Sequence, residues 1–250
     1  GVITVDSLNA GTFEDYASSV SVVINCSAYT KVDDCETECD LALTVNGVGV
    51  DHLAQQAAYY DVPLVHFSTD YVFNGQKKSP YVEEDSCDPV NYYGYSKWVG
   101  ENHIKNLCEK YYIFRVQWLY GVNGNHFVQA IQRLAASHSR LTIVNDQWGT
   151  PTNTVSLADY VVRSIQSHIP WGVYHLRDDG YTTWYDYATL ISKELNLSCD
   201  VVPISSDEFK RPAKRPLNGR LSCEKWVKAV SFNPVSWKDN VTHFIRKELV

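Results

Sequence analysis

The stretch Pro63-Leu64-Val65-His66-Phe67-Ser68-Thr69-Asp70-Tyr71 is a short, β-favouring apolar run that ends on hydroxyl and carboxyl side chains. It reads as a strand entering a polar turn. On its N-terminal side, Val48, Leu53, Ala57 and Tyr60 set an apolar stripe at helical spacing, which predicts a helix over Val48–Tyr60. On its C-terminal side, Tyr93–Cys108 reads as a helix and Tyr111–Trp118 as the next strand. Strand, helix, strand in that order predicts parallel pairing, with helices covering both faces of the sheet.

The same alternation extends in both directions. Further strands are expected at Val20–Cys26, Leu141–Val144 and Gly172–Leu176, and the opening residues Gly1–Asp6 also read as a strand. Further helices are expected at Phe127–Ser137, Ser156–His168, Trp184–Leu195 and Trp237–Leu249. Beyond Gly121 the alternation becomes irregular. The fold class is therefore α/β, a doubly wound parallel sheet followed by a smaller α/β domain. The first domain is expected to comprise residues 1–120 with 152–178, and the second 121–151 with 179–250.

The chain has 250 residues, 44% hydrophobic and 20% charged, enough for a sizeable core and too apolar for disorder. Residues 1–125 carry 7 basic against 17 acidic side chains and residues 126–250 carry 15 against 12. An acidic chain without a basic stripe makes nucleic acid an unsuitable partner, whereas the more basic second half suits an anionic ligand. The uncharged stretch Ala17–Thr30 is too short and too polar to cross a bilayer, so no membrane partner is expected. Seven cysteines without a pairing pattern point to buried, reduced thiols and a cytoplasmic location. Cys35 and Cys39 form the only close pair and lack companion ligands for a metal.

Tyr93-Gly94-Tyr95-Ser96-Lys97 opens the second helix and puts Tyr93 and Lys97 on one face. A phenol ordinarily titrates near ~10, and an adjacent ammonium favours the phenolate. The two residues are therefore a candidate acid/base pair, while a solvated lysine beside a packed aromatic is the plainer alternative. Thr69 lies 24 residues earlier, where a parallel strand ends, and the ends of such strands are where α/β sheets bind ligands. Its hydroxyl is expected to hold a substrate carbonyl, and that of Ser68 to cap the turn.

Six blocks in order carry a family resemblance: Val23–Asp33, Ser68–Phe73, Tyr93–Lys97, Phe114–Trp118, Asp146–Thr152 and Arg215–Asn218. The chain resembles the dTDP-4-dehydrorhamnose reductases of the extended short-chain dehydrogenase/reductase superfamily. That resemblance implies a Rossmann-like sheet and NADPH-dependent reduction of a nucleotide-linked 4-keto-6-deoxy sugar, with NADH as a second option for the cofactor. It makes Tyr93 the general acid, Lys97 the residue that lowers its pKa and contacts the nicotinamide ribose, and Thr69 the holder of the carbonyl.

Asn25, Cys26, Ser27 and Ala28 match the loop beneath the cofactor, with Cys26-Ser27 replacing small alanines. Tyr71 and Trp118 match sugar-pocket positions, though plain core packing is an equal alternative for both. Lys210–Arg220 places five cations in eleven residues, of which Arg215, together with Asn218, matches the family's substrate contacts. The family's Gly-x-x-Gly-x-x-Gly turn is absent and the chain contains no Met, so the expectation is a piece of a longer protein lacking its first strand and glycine-rich turn. Three further readings are open: a regulatory protein on the same fold, resembling the regulatory subunit of methionine adenosyltransferase; an epimerase or dehydratase, given Thr69-Asp70; and a homodimeric assembly.

Overall fold

The computed structural model describes Tyr16 and residues 19–249; the strand expected at Gly1–Asp6 lies outside them. The first half runs through β1 (Val23–Asn25), α1 (Cys39–Leu43), α2 (Gly49–Tyr59), β2 (Leu64–Thr69), α3 (Tyr92–Leu107) and β3 (Tyr111–Val116). The second half continues with β4 (Leu119–Tyr120), α4 (Phe127–Ala135), β5 (Arg140–Val144), β6 (Trp148–Gly149), β7 (Thr152–Asn153) and α5 (Thr154–Gln166). It ends with β8 (Gly172–His175), β9 (Thr182–Thr183), α6 (Trp184–Glu194), β10 (Asp200–Ile204), α7 (Glu224–Val230) and α8 (Trp237–Phe244).

Strands β1, β2, β3 and β8 form a sheet in that order, all parallel. The two-residue period of β2 sorts its side chains between two cores. Val65 enters one with Phe114, Leu157, Tyr160 and Trp226, beneath α5 and α7. Leu64 enters the other with Val50, Ala54, Ala57 and Ile104, beneath α2 and α3. Full burial of a side chain of this size contributes roughly 1.5–3 kcal/mol, so each alternate position of β2 is a strong determinant of register. On the α3 side the next two positions are polar, His66 and Ser68, and both are buried.

A third core lies in the second half, where Val128, Ile131, Leu141, Tyr187, Ile191, Trp237 and Phe244 gather α4, α6 and α8 around β5. Strand β10, which sequence patterning does not predict, pairs in parallel with β5. Pro203 interrupts the β-favouring run there, but it is exposed in a strand with only one partner, where a missing N–H costs little.

The first helical segment also starts earlier than its apolar stripe indicates. It begins at Cys39 and widens over Thr44–Val48 before α2. Asn46 sits in that widened turn, and its amide binds the backbone of Tyr29 and the hydroxyl of Ser96. All seven cysteines are free, but Cys26 is exposed, contrary to the expectation of uniformly buried thiols. No helix among the described residues is long and apolar enough to cross a membrane.

Candidate active site

The ends of β1, β2 and β3, together with the first turns of α3, bring most of the expected site residues to one edge of the sheet. Thr69 is the last residue of β2, paired in register with Val116 of β3. Its hydroxyl donates to Asp70 Oδ1 at 3.1 Å and accepts the Tyr71 N–H at 3.2 Å, and it lies close enough to the Tyr93 phenol to act on its ionisation. Thr69 therefore caps the turn Asp70–Val72 as well as meeting Tyr93. Ser68, the residue expected to cap, instead donates to buried Glu101 at 2.6 Å. The alternation of β2 explains the exchange, because Ser68 points beneath α3 while Thr69 leaves the strand at its end.

Asn91 caps α3 through Gly94 N–H and donates to the Lys214 carbonyl, which fixes the helix start against the basic segment 210–220. Gly94 is required by packing. A β-carbon there would collide with the Tyr71 carbonyl oxygen, so only glycine lets α3 approach the turn after β2. The Tyr71 and Tyr93 rings meet edge to face at 5.7 Å.

The electrostatics differ from the simple pairing of Tyr93 with Lys97. Burial pushes the Tyr93 phenol well above 10, and Asp70 and Tyr71 add to the rise; the nearby Thr69 hydroxyl opposes it. Lys97 is buried and places Nζ 3.2 Å from His66 Nε2. Burial pulls its ammonium down to about 8, against the raising effect of Glu101. Tyr93 is thus held as a neutral phenol, the form that donates a proton. Burial also pushes the Asp70 carboxyl up to about 7, against hydrogen bonds from Thr69 and the backbone.

Beneath this site lies a buried ion pair. Glu101 accepts from Arg115 Nε at 2.8 Å and Nη2 at 2.7 Å, and from Lys105 at 2.9 Å. Burial opposes its ionisation, but the Arg115 charge dominates and holds the carboxyl well below the usual range.

Asn25 ends β1 opposite His66, and the loop Cys26–Ala28 follows at the same sheet edge, with Cys26 and Ser27 exposed. Asn25 Oδ1 accepts from the backbone N–H and the hydroxyl of Ser27 at 2.9 and 2.7 Å. An exposed loop at the end of the first described parallel strand stands at the sheet edge where α/β folds bind a nicotinamide dinucleotide.

Trp118 takes a left-handed backbone, with φ of 47°. Its ring stacks on Trp184 at 3.6 Å, and a β-carbon on Gly149 would come within 2.6 Å of it. A bulky residue in that conformation is strained. Trp118 packs only at the edge of the second-half core and remains partly exposed.

Arg215 lies near Tyr71, whose ionisation its charge favours, and donates to Asp33 Oδ1, which is 182 residues away in sequence. Arg211 binds the other carboxylate oxygen of Asp33. Burial alone would raise the Asp33 carboxyl, but Arg215 and its other donors bring it down to about 2. Two guanidinium groups on one carboxylate leave one net positive charge beside Tyr71. Asn218 departs from its expected role as a substrate contact. It is buried, donating to the Lys77 and Ser79 carbonyls and accepting from Arg220, so its amide is committed to joining two loops. The features that motif reading passed over are His66, Asp33 and Glu101. Each stood inside or beside a quoted block, but its partner comes from a distant element.

The family model described as RmlD substrate binding domain matches residues 4–250. The chain belongs to that family. Among the relatives of this RmlD-family chain is a dTDP-4-dehydrorhamnose reductase of Escherichia coli strain K12. It is 34% identical over an alignment of 238 residues that covers 90% of this chain and 79% of the relative. The spore coat polysaccharide biosynthesis protein SpsK of Bacillus subtilis is 35% identical over 226 residues, again 90% and 79% of the two chains. A crystal structure of dTDP-4-dehydrorhamnose reductase from Bacillus anthracis in complex with NADP superposes with a TM-score of 0.92 at 33% identity, covering 97% of this chain and 87% of that one. The Clostridium acetobutylicum reductase gives 0.93 at 37% identity, with 98% and 88% covered.

Proposed function

We propose that this protein is an NADPH-dependent reductase of a nucleotide-linked 4-keto-6-deoxy sugar, converting dTDP-4-dehydrorhamnose to dTDP-L-rhamnose. The observation that carries this reading is the convergence of Thr69, at the end of parallel strand β2, with Tyr93, in the first turn of α3 and ring to ring with Tyr71, in a chain whose relatives are named for that reaction. NADPH, when bound, supplies a hydride.

Tyr93 supplies the matching proton. Its O–H bond breaks as a new O–H bond forms on the C4 oxygen, so the ketone becomes an alcohol. Burial keeps the phenol protonated until the oxygen beside it turns basic. Thr69, beside Tyr93 at the end of β2, would orient the carbonyl. Asn25 and the loop Cys26–Ala28 would lie along the cofactor, with Lys97 toward its ribose. Tyr71 and Trp118 would border the sugar. The unbalanced cation of the Arg211–Asp33–Arg215 cluster would face the diphosphate, for which a guanidinium fork is well matched.

The test is loss of the NADPH absorbance band on adding the 4-keto-6-deoxy sugar nucleotide. Oxidation that depends on the sugar supports the reading. No oxidation with any keto-sugar nucleotide, alongside retained nucleotide binding, would replace it with a regulatory role.

A further inference from the structure

Gln117 is the residue that follows β3, and it is only 3% exposed. Neither its amide nitrogen nor its amide oxygen has a hydrogen-bond partner among the described residues. A carboxamide carries two donors and two acceptor lone pairs, and burying it unpaired costs free energy that packing does not return. Buried polar groups are otherwise almost always paired, so an amide left in this state calls for a role outside the fold.

The sheet places that amide at the candidate site. Thr69 and Val116 are register partners, so Gln117 leaves β3 beside the turn that begins at Asp70, one strand spacing of roughly 5 Å away. On its other side lies Gly149 of β6. A β-carbon on Gly149 would come within 2.8 Å of Gln117 Oε1 and within 2.6 Å of the Trp118 ring. Glycine there leaves room for the amide and the ring side by side, next to a tryptophan that is itself partly exposed and held in a left-handed backbone. The unpaired polar atoms of Tyr120, His126 and Tyr187 differ, because their rings pack against Phe244 or Phe127 in the second-half core.

We propose that Gln117 binds the two adjacent hydroxyls of the sugar, at C2 and C3, and so selects a ring that carries both. This rests on the reductase reading, which sets the C4 ketone beside Thr69 and Tyr93. Gln117 Nε2 donates to one hydroxyl oxygen, and Oε1 accepts from the other hydroxyl, so both ends of the amide are satisfied at once. A phosphate or carboxylate would use Nε2 alone and set its charge against Oε1, and the guanidinium groups suited to an anion are those gathered on Asp33. A pyrimidine edge offers a matching donor and acceptor, but it lies a ribose and a diphosphate away from the reacting carbon, whereas Gln117 neighbours the strand end that holds Thr69. A site built to hydrogen-bond a substrate hydroxyl strongly rejects the analogue that lacks it, because its own polar atoms are then left unpaired. Gln117 is on these grounds a specificity-determining residue.

The experiment is calorimetric titration of the intact chain and of Gln117→Met, which keeps the volume and removes the amide, with dTDP-L-rhamnose and with dTDP. The variant should lose about tenfold or more in affinity for dTDP-L-rhamnose, as two neutral hydrogen bonds are worth, and change less than about twofold for dTDP. Without ligand it should melt no lower than the parent, because an unpaired amide has been removed. A second arm needs no variant: the parent should bind the 3-deoxy analogue of dTDP-L-rhamnose more weakly than dTDP-L-rhamnose itself, by severalfold at least. Equal affinity of parent and variant for the sugar nucleotide, a parallel loss for dTDP, or failure of the parent to bind dTDP-L-rhamnose overturns the proposal. So does a melting temperature several degrees lower, which would show the amide tied into the fold, or a loss confined to NADP, which would give it to the nicotinamide. None of these readouts uses turnover. Sugar-dependent NADPH oxidation by the parent with unchanged binding in Gln117→Met sinks this assignment and leaves the reductase reading; the selective loss in a protein that oxidises no NADPH does the reverse.

Discussion

The Tyr71 and Tyr93 rings meet at 77° with their centroids 5.7 Å apart, and Gly94 lies directly beneath the Tyr71 carbonyl. These contacts lock the turn after β2 to the first turn of α3, so the hydroxyl of Thr69 and the phenol of Tyr93 are positioned by backbone. Gly94→Ala cannot be relieved by a rotamer change, because the clash is with a carbonyl oxygen. It should destabilise the protein by about 1–3 kcal/mol, as overpacking does, and lower turnover by displacing Tyr93. Denaturant unfolding and steady-state rates check the two effects separately.

Asp70 offers a pH signature. Its folded pKa of about 7 lies above the unfolded carboxylate value near ~3.9, so the folded state binds more protons between those limits and stability falls as pH rises through them. Asp70→Asn removes the group. The variant should match the parent near pH 4 and gain relative stability up to pH 7, reaching at most about 4 kcal/mol. A relative stability that does not change with pH would contradict the assignment.

Glu101 has the opposite sign. Its carboxyl is held below the usual range by Arg115, so its contribution is complete above the unfolded pKa and is lost as pH falls. Glu101→Gln leaves a buried guanidinium without its counter-charge and should cost about 3–5 kcal/mol at neutral pH, measured by thermal or denaturant unfolding. The single oxygen left in the same variant cannot serve Ser68, Arg115 and Lys105 together, and strand β2 should exchange its amides faster.

Asn218→Ala separates structure from binding. It removes donors to the Lys77 and Ser79 carbonyls, so melting temperature should drop and amide protection near residues 77–81 should fall, while sugar-nucleotide affinity changes little. A large loss of affinity with unchanged stability would restore Asn218 as a substrate contact.

The parallel sheet was legible because β2, β3 and the helices between carry their periodicity locally, as did the Tyr93–Lys97 spacing on α3. The partners of the site were not. Lys97 finds His66 only after β2 and α3 dock, Arg215 meets Asp33 across 182 positions, and Asn46 reaches Ser96 across 50. Short-range patterning carries no information about such pairs. It also gives the cap to Ser68 where Thr69 makes it, since which hydroxyl caps the turn depends on where the strand ends. Strand β10 escaped because its run is short, contains Pro203, and is completed only by pairing with β5.

Turnover of Tyr93→Phe, measured beside its affinity for the sugar nucleotide, tests the central claim most directly. Removing the phenolic proton should lower the rate of sugar-dependent NADPH oxidation by about 10²–10⁴-fold, with affinity essentially retained. A Tyr93→Phe protein that turns over at the parent rate would show that the proton reaching the C4 oxygen comes from elsewhere.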